Sequence, residues 1–217
     1  MPPIDPARST RVPTWGREQA RLDFGLGGFF IASILANEAC KQCHNPRMDE
    51  FIETALQSHS ERALQRLHTA GCIWPDAVTQ QLQKLALASD FAIDVLVQQP
   101  ALLPHVLADA RQPLPPPQLS AENREQWAQL LRRYRRAEST RLIWRDVVEA
   151  APVEDILAGS SVLAESCLQL ALTALEAEFV QRFGVVRDAQ GQVQRLVVFG
   201  LGKLGGGELN FSSDIDL

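Results

Sequence analysis

Cysteine is scarce in this chain, four residues in 217. That is too few for the disulfide framework of a small secreted domain, so a reducing compartment is expected. Glycine and proline stand at 13 each, far below collagen-like or low-complexity usage. A basic excess is missing too: 21 Lys+Arg against 26 Asp+Glu leave a net charge of −5, which argues against bulk binding to nucleic acid. No unbroken apolar run reaches the roughly 18–20 residues that a bilayer-crossing helix needs, and no membrane partner is expected. There is no internal repeat. What the chain does have is apolar residue, 46% of the total. That exceeds a disordered composition, in a length that suits one domain or two with a real core.

Residues 1–47 differ from the rest, with several arginines and a glycine-interrupted apolar stretch from Phe24 to Ala36. Residues 48–111 read as a helical region. Phe51, Ala55, Leu56, Ala63, Leu64 and Leu67 fall near helical spacing, and Gly71 ends that helix. Pro75 opens a second helix with Leu82, Leu85 and Leu87 as its buried side. Ser89-Asp90 caps a third, and Pro100 breaks it before Leu102–Leu107. A proline-rich linker spans 112–119. Residues 120–184 predict one long helix from Ser120 to about Ala150 and another over Val153–Phe183, with a break near Gly159. Asp188-Ala189-Gln190-Gly191 is turn chemistry, and Arg195–Phe199 predicts a buried strand. Residues 185–217 therefore open a second kind of domain, and the expected class is α+β.

Three motifs compete for the chemistry. Cys40-Lys41-Gln42-Cys43-His44 fits the C-x-x-C-H pattern of covalent haem attachment, behind a stretch that could serve an exported protein. Three glycines interrupt that stretch and Asn37-Glu38-Ala39 is a poor cleavage site, so a chance match is the better reading. Gly200-Leu201-Gly202-Lys203-Leu204-Gly205 satisfies G-x-G-x-x-G after a strand. A dinucleotide site needs a sustained helix there, yet Gly206 and Gly207 follow at about 1 kcal/mol each of lost helix propensity. A P-loop fails because Leu204, not Ser or Thr, follows Lys203.

The third motif joins the glycine loop to Asp214-Ile215-Asp216. Carboxylates at i and i+2 of an extended segment share one side, and such like charges favour a hard cation between them. Mg²⁺ suits that pair because it takes oxygen ligands and bridges to phosphates. Glycines admit a phosphate close to backbone N–H groups, and Lys203 adds a point charge. A phosphate cradle beside a metal-holding pair is what phosphoryl or nucleotidyl transfer requires. Solvent-facing acids beside a turn are the bland alternative.

The twenty residues Val198–Leu217, VFGLGKLGGGELNFSSDIDL, closely resemble the active-site motif of the bifunctional glutamine synthetase adenylyltransferase/adenylyl-removing family. Leu131-Arg132-Arg133-Tyr134-Arg135-Arg136 with Ile143-Trp144-Arg145-Asp146 resembles its arginine-rich helix, and the likeness runs from about Asp49 to Leu217. The resemblance implies a helical region leading into a polymerase-β-like nucleotidyltransferase palm, here cut off after its first metal strand. It implies the N-terminal copy, which removes AMP from a glutamine synthetase tyrosine by phosphorolysis to give ADP; the other copy adds AMP from ATP. On that likeness Asp214 and Asp216 are catalytic, Mg²⁺-binding carboxylates. Gly202, Lys203 and Gly205 form the phosphate loop, and Ser212 and Ser213 precede the pair. Glutamine synthetase and PII-type signal proteins are the implied partners, and the cytoplasm the implied location.

Two departures accompany the likeness. Family chains are several times longer, so this piece alone is expected to be inactive, and a non-catalytic helical module that contacts glutamine synthetase is the alternative. Residues 1–47 have no counterpart, and Met48 sits where a family chain could begin, so an assigned start upstream of the true one is expected. Arg132, Arg133, Arg135, Arg136, Arg141 and Arg145 suit phosphate recognition, or equally a solvated face paired with Glu138 and Asp146. His59, His68 and His105 read as surface or capping residues, and Cys72 and Cys167 as small buried hydrophobes.

Overall fold

A computed structural model describes residues 46–217; the C-x-x-C-H motif at 40–44 and the proposed upstream start lie outside them. The described residues are mostly helical. The first helix, α1 (Pro46–Thr69), buries Ser60, Ala63 and Leu67, spaced three and four residues apart so that they share one face. Phe51 is 69% exposed and Ala55 is also outside, so the two lie off the buried stripe that their spacing suggests. Gly71 ends the helix as expected. At φ +87° it occupies the left-handed region, while Cys72 N–H donates to Leu67 O and Gly71 N–H to His68 O, both at 3.0 Å. Those two bonds satisfy carbonyls that the helix end would otherwise strand.

A 3₁₀ turn (Asp76–Val78) leads into α2 (Thr79–Ala88), which buries Leu82, Leu85 and Ala86. Ser89 is extended, and its hydroxyl accepts from Ala92 N–H at 3.2 Å to start α3 (Asp90–Gln98). Pro100 separates α3 from α4 (Leu102–Asp109), and the two are bent by 119°. Leu67, Leu82, Leu85, Ile93, Leu96 and Leu103 meet in one core, beneath Ala137, Ile143 and Trp144. Each such leucine or isoleucine contributes about 1.5–3 kcal/mol by leaving water.

The long helix predicted from Ser120 divides. Ala121–Gln126 is 3₁₀, with Asn123 at φ −112° and ψ 21°, and α5 begins at Trp127 and runs to Val147. The Trp127 indole explains the kink: its Nε1–H reaches Ser120 O at 2.9 Å and Asn123 Oδ1 at 2.8 Å. A buried ion pair then ties α5 to the linker. Glu138 and Arg141 have side chains 4% and 7% exposed, joined by bonds of 2.7, 2.9 and 3.1 Å. Arg141 also donates to Ala110 O at 2.8 Å, and Glu138 accepts from Leu114 N–H at 2.7 Å.

The last long helix, α6 (Val153–Phe183), is unbroken. Gly159 is therefore a contact and not a hinge: a Cβ there would stand 2.7 Å from Leu142 Cδ2 of α5. Its outer half is bare, with Leu175, Phe179, Val180 and Phe183 between 42% and 65% exposed. Among the described residues α6 is also one helix long and apolar enough to cross a membrane, by length and composition alone, with a mean hydropathy of 1.4 and 22% of that window buried. Counting unbroken runs misses this, because scattered Gly, Ser and Thr interrupt a run without making its average polar.

Gly184, at φ +83°, ends α6. A turn follows in which Asp188 Oδ1 accepts from Gln190 and Gln192 N–H, and Arg187 and Val193 form an antiparallel bridge. Arg195–Phe199 does not form the expected strand. Among the described residues the only β-pairings are that bridge and one between Leu201 and Asp216, and an extended segment becomes a strand only when a neighbour takes its ladder bonds. The palm of the α+β expectation is thus not seen here; the architecture on view is helical.

Candidate functional site

The glycine turn and Asp216 meet. Residues Gly202–Gly205 form a single helical turn, α7, and Leu201 N–H donates to Asp216 O at 2.8 Å across the antiparallel bridge. Gly202 has φ +53°, and a Cβ on it would stand 3.0 Å from Asp216 Oδ2. The left-handed backbone favours glycine at that point, and the Asp216 carboxylate lies close to where a side chain would begin. Gly205 is tighter still, since its Cβ would stand 2.4 Å from Gly200 O.

The remaining polar residues gather on Asn210. Its Oδ1 accepts from Ser213 Oγ at 2.6 Å, from Ser212 N–H at 3.2 Å and from Ser212 Oγ at 3.3 Å. Lys203 Nζ donates to Ser213 Oγ at 3.3 Å, which joins the phosphate-loop lysine to the segment leading into Asp214. Asp214 and Asp216 are both exposed, so solvent or a ligand can reach them.

The scaffold holds this turn from beneath. Leu204 and Leu209 are 4% and 6% exposed, and Leu209 N–H donates to Ser161 Oγ of α6 at 3.0 Å. Phe211 packs against the main core. Asn210 and Ser161 were not among the expected site residues. Asn210 carried a signal, because Asn hydrogen-bonds the backbone two residues ahead; Ser161, 48 residues away in sequence, carried none.

The arginine-rich helix is used mostly for construction. Arg141 is buried in its pair with Glu138. Arg145 reaches Asp155 at 3.5 Å and Glu149 at 4.0 Å, Arg133 donates to Gln99 at 3.1 Å, and Arg136 lies over the Phe91 ring at 5.6 Å. Burial, the largest influence, pulls the Arg135 guanidinium down from its ordinary value. His59 lies 3.2 Å from Asp90 and His68 stacks on Trp74 at 4.0 Å. Burial raises the thiols of Cys72 and Cys167. Among the described residues no group of three or more His, Cys, Asp or Glu is placed to hold a metal. The acidic pair offers two exposed carboxylates. That donor set fits Mg²⁺, which completes its shell with water and substrate phosphates.

By its arrangement of parts the chain is of the class of helical bodies that present a glycine turn bridged to a D-x-D segment. Comparison narrows the class. The family model described as glutamate-ammonia ligase adenylyltransferase matches residues 77–217. Relatives named bifunctional glutamine synthetase adenylyltransferase/adenylyl-removing enzyme include one from Xanthomonas campestris pv. campestris (strain ATCC 33913), 54% identical over 166 residues, 75% of this chain and 18% of that protein. One from Stenotrophomonas maltophilia (strain K279a) is 53% identical over 167 residues, 76% of this chain and 18% of its own. A more distant one from Pseudomonas aeruginosa is 32% identical over 183 residues, 79% of this chain and 18% of its own. The chain belongs to the glutamate-ammonia ligase adenylyltransferase family of nucleotidyltransferases. It spans about 18% of the length of the relatives it matches.

Proposed function

We propose that this chain provides the helical lead and the metal-and-phosphate edge of the adenylyl-removing half of its family, acting on an AMP-tyrosine of glutamine synthetase. The observation that carries the reading is the bridge between Leu201 and Asp216, which lays a carboxylate against the glycine turn. In the reaction inorganic phosphate attacks the AMP phosphorus. The bond to phosphate forms, the bond to the tyrosine oxygen breaks, ADP departs, and the tyrosine oxygen takes a proton. Asp214 and Asp216 would hold Mg²⁺, which supplies charge neutralisation for the phosphates. Gly202 and Gly205 keep side chains out of the phosphate path. Lys203 offers its ammonium to phosphate oxygens, and the bond to Ser213 fixes where that charge sits. Ser212 and Ser213, held by Asn210, set the entry to the acidic pair.

On the same reading, use of ATP, control by PII-type signal proteins and work in the cytoplasm belong to the whole family protein. The two carboxylates alone, with an unpaired Arg195–Phe199, support a chain that contacts glutamine synthetase and binds metal without turnover. Mn²⁺ titration followed by electron paramagnetic resonance tests the site. Binding to the 217-residue chain that is lost in Asp216→Asn, with helical circular dichroism unchanged, is expected. Absence of Mn²⁺ binding, or full retention in the variant, would overturn the site. Adenylylated glutamine synthetase is expected to be retained in a pull-down with no phosphate-dependent ADP above a blank, and robust ADP release would refute the inactivity of the isolated piece.

A further inference from the structure

α5 carries two kinds of arginine. In its C-terminal half Arg141 and Arg145 are paired with carboxylates, those of Glu138, Glu149 and Asp155. In its N-terminal half Arg132, Arg133 and Arg136 form no ion pair among the described residues; Arg133 leans on the Gln99 amide and Arg136 on the Phe91 ring. Phe91 and Gln99 lie at the two ends of α3, and the same short helix receives Arg66 of α1, whose guanidinium bonds to Asp94. Phe91 and Asp94 are three residues apart, so they share one side of α3. Arg62 stands one turn before Arg66 on α1, exposed and likewise without an ion pair among the described residues. α3 thus gathers the arginines of two helices onto one face. The carboxylates it adds, Asp90 and Asp94, are already engaged, by His59 and by Arg66.

Arg62 and Arg66, like Arg132 and Arg136, are equal charges at i and i+4, an arrangement that weakens a helix. None of Arg62, Arg132, Arg133 and Arg136 has a carboxylate three or four residues away on its own helix. A merely solvated face is laced with both signs, yet this one holds five arginines against two carboxylates, in a chain whose net charge is −5. The chemistry that suits it is carboxylate, because a planar guanidinium takes two carboxylate oxygens at once. Nucleic acid fits less well. Asp90 and Asp94 stand within the face and would repel a continuous phosphate backbone, and the Phe91 ring, which could stack on a base, has Arg136 over it. We infer that Arg62 and Arg66 of α1 with Arg132, Arg133 and Arg136 of α5, joined across α3, form a docking surface for an acidic polypeptide segment. That surface uses no residue of the glycine turn or the acidic pair, so it stands or falls apart from the metal-and-phosphate reading.

The test is fluorescence anisotropy of a labelled oligoglutamate peptide titrated with the 217-residue chain, beside a labelled single-stranded DNA of equal negative charge. The peptide is expected to bind, more weakly as salt rises, and the DNA to bind less tightly. Arg62→Gln/Arg132→Gln removes one exposed arginine from each helix, neither of them in an ion pair. It is expected to weaken peptide binding by at least about tenfold, with a circular dichroism melt no lower than the parent's. Arg111→Gln/Arg187→Gln removes the same charge elsewhere: Arg111 follows Ala110, which Arg141 bonds beside the other half of α5, and Arg187 lies in the turn after α6. That pair is expected to leave the affinity nearly unchanged. An equal loss in that pair, or no peptide binding at all, would overturn the surface. DNA bound as tightly as the peptide, and lost in the same variant, would overturn the acidic polypeptide in favour of a nucleic acid. A lower melt in Arg62→Gln/Arg132→Gln would assign those arginines to the fold and overturn the inference.

Discussion

Removing one partner of the Glu138–Arg141 pair tests how the helical body is held together. Both side chains are almost fully buried, at 4% and 7% exposure. Glu138→Ala takes three bonds from Arg141 and leaves its charge with Ala110 O alone, while Leu114 N–H loses its acceptor. Breaking a buried pair from one side costs about 3–5 kcal/mol, because a charge remains in a poorly solvated place. An orphaned buried N–H adds about 1–3 kcal/mol where water cannot reach it. For a body of this size each kcal/mol lowers Tm by about 2–4 °C, so the broken pair alone is expected to lower the melt by roughly 6–20 °C, and the orphaned N–H can only add to that. Thermal melts by circular dichroism read this directly. The double variant Glu138→Met/Arg141→Met removes both charges, keeps apolar volume, and is expected to lose less than Glu138→Ala. Asp94→Asn supplies the exposed control: the Arg66–Asp94 pair has side chains 49% and 46% exposed, so its loss is expected to cost under about 1 kcal/mol. A Glu138→Ala melt no lower than the Asp94→Asn melt would refute the reasoning.

Gly205→Ala pushes a Cβ to 2.4 Å from Gly200 O, a backbone atom that cannot swing aside, so the turn must shift. Mn²⁺ affinity is expected to fall while the helical melt holds, and an unchanged affinity would show that the turn does not position Asp216. Burial lifts the thiols of Cys72 and Cys167 above the ordinary 9.0, and burial, then Glu138, lifts Tyr134 above 10.0. In each case the folded protein keeps its proton more tightly than the unfolded chain, so stability is whole below pH 9.0 and declines as pH rises past it. Urea midpoints from pH 8 to 10.5 check the sign, and a rising midpoint would contradict it.

Helices were legible in the sequence where local chemistry decides them. Gly71, Ser89, Pro100 and Gly184 each act at the position where they were expected to end or start an element, because a left-handed glycine, a hydroxyl cap or a proline works within a few residues. The errors have tertiary causes. Gly159 resembles a breaker in one dimension, yet its missing side chain is what lets Leu142 of α5 come within 2.7 Å of the Cβ position. Asn123 is pulled out of helical geometry by the indole of Trp127. The arginines of α5 look alike as letters, but their partners Glu138, Gln99, Phe91 and Asp155 assign each a different structural task.

The same division runs through the site. The glycine turn, Lys203 and the two aspartates could be named in advance, because each residue type has a use of its own in binding phosphate and metal. What holds them in place could not, since Ser161 and Leu209 are linked only by the fold. That link bears on the chemistry. The turn that carries Gly202 is short, one helical turn with glycine on either side, and by itself would cost backbone entropy to keep in one shape. Leu204 and Leu209, buried against the body and tied to α6 through Ser161, offset that cost with packing and a hydrogen bond to a rigid helix. The long helical lead is therefore part of the site's geometry: α6 beneath the turn adds its hold to the Leu201 bridge and the Lys203–Ser213 bond that join the turn to the acidic segment.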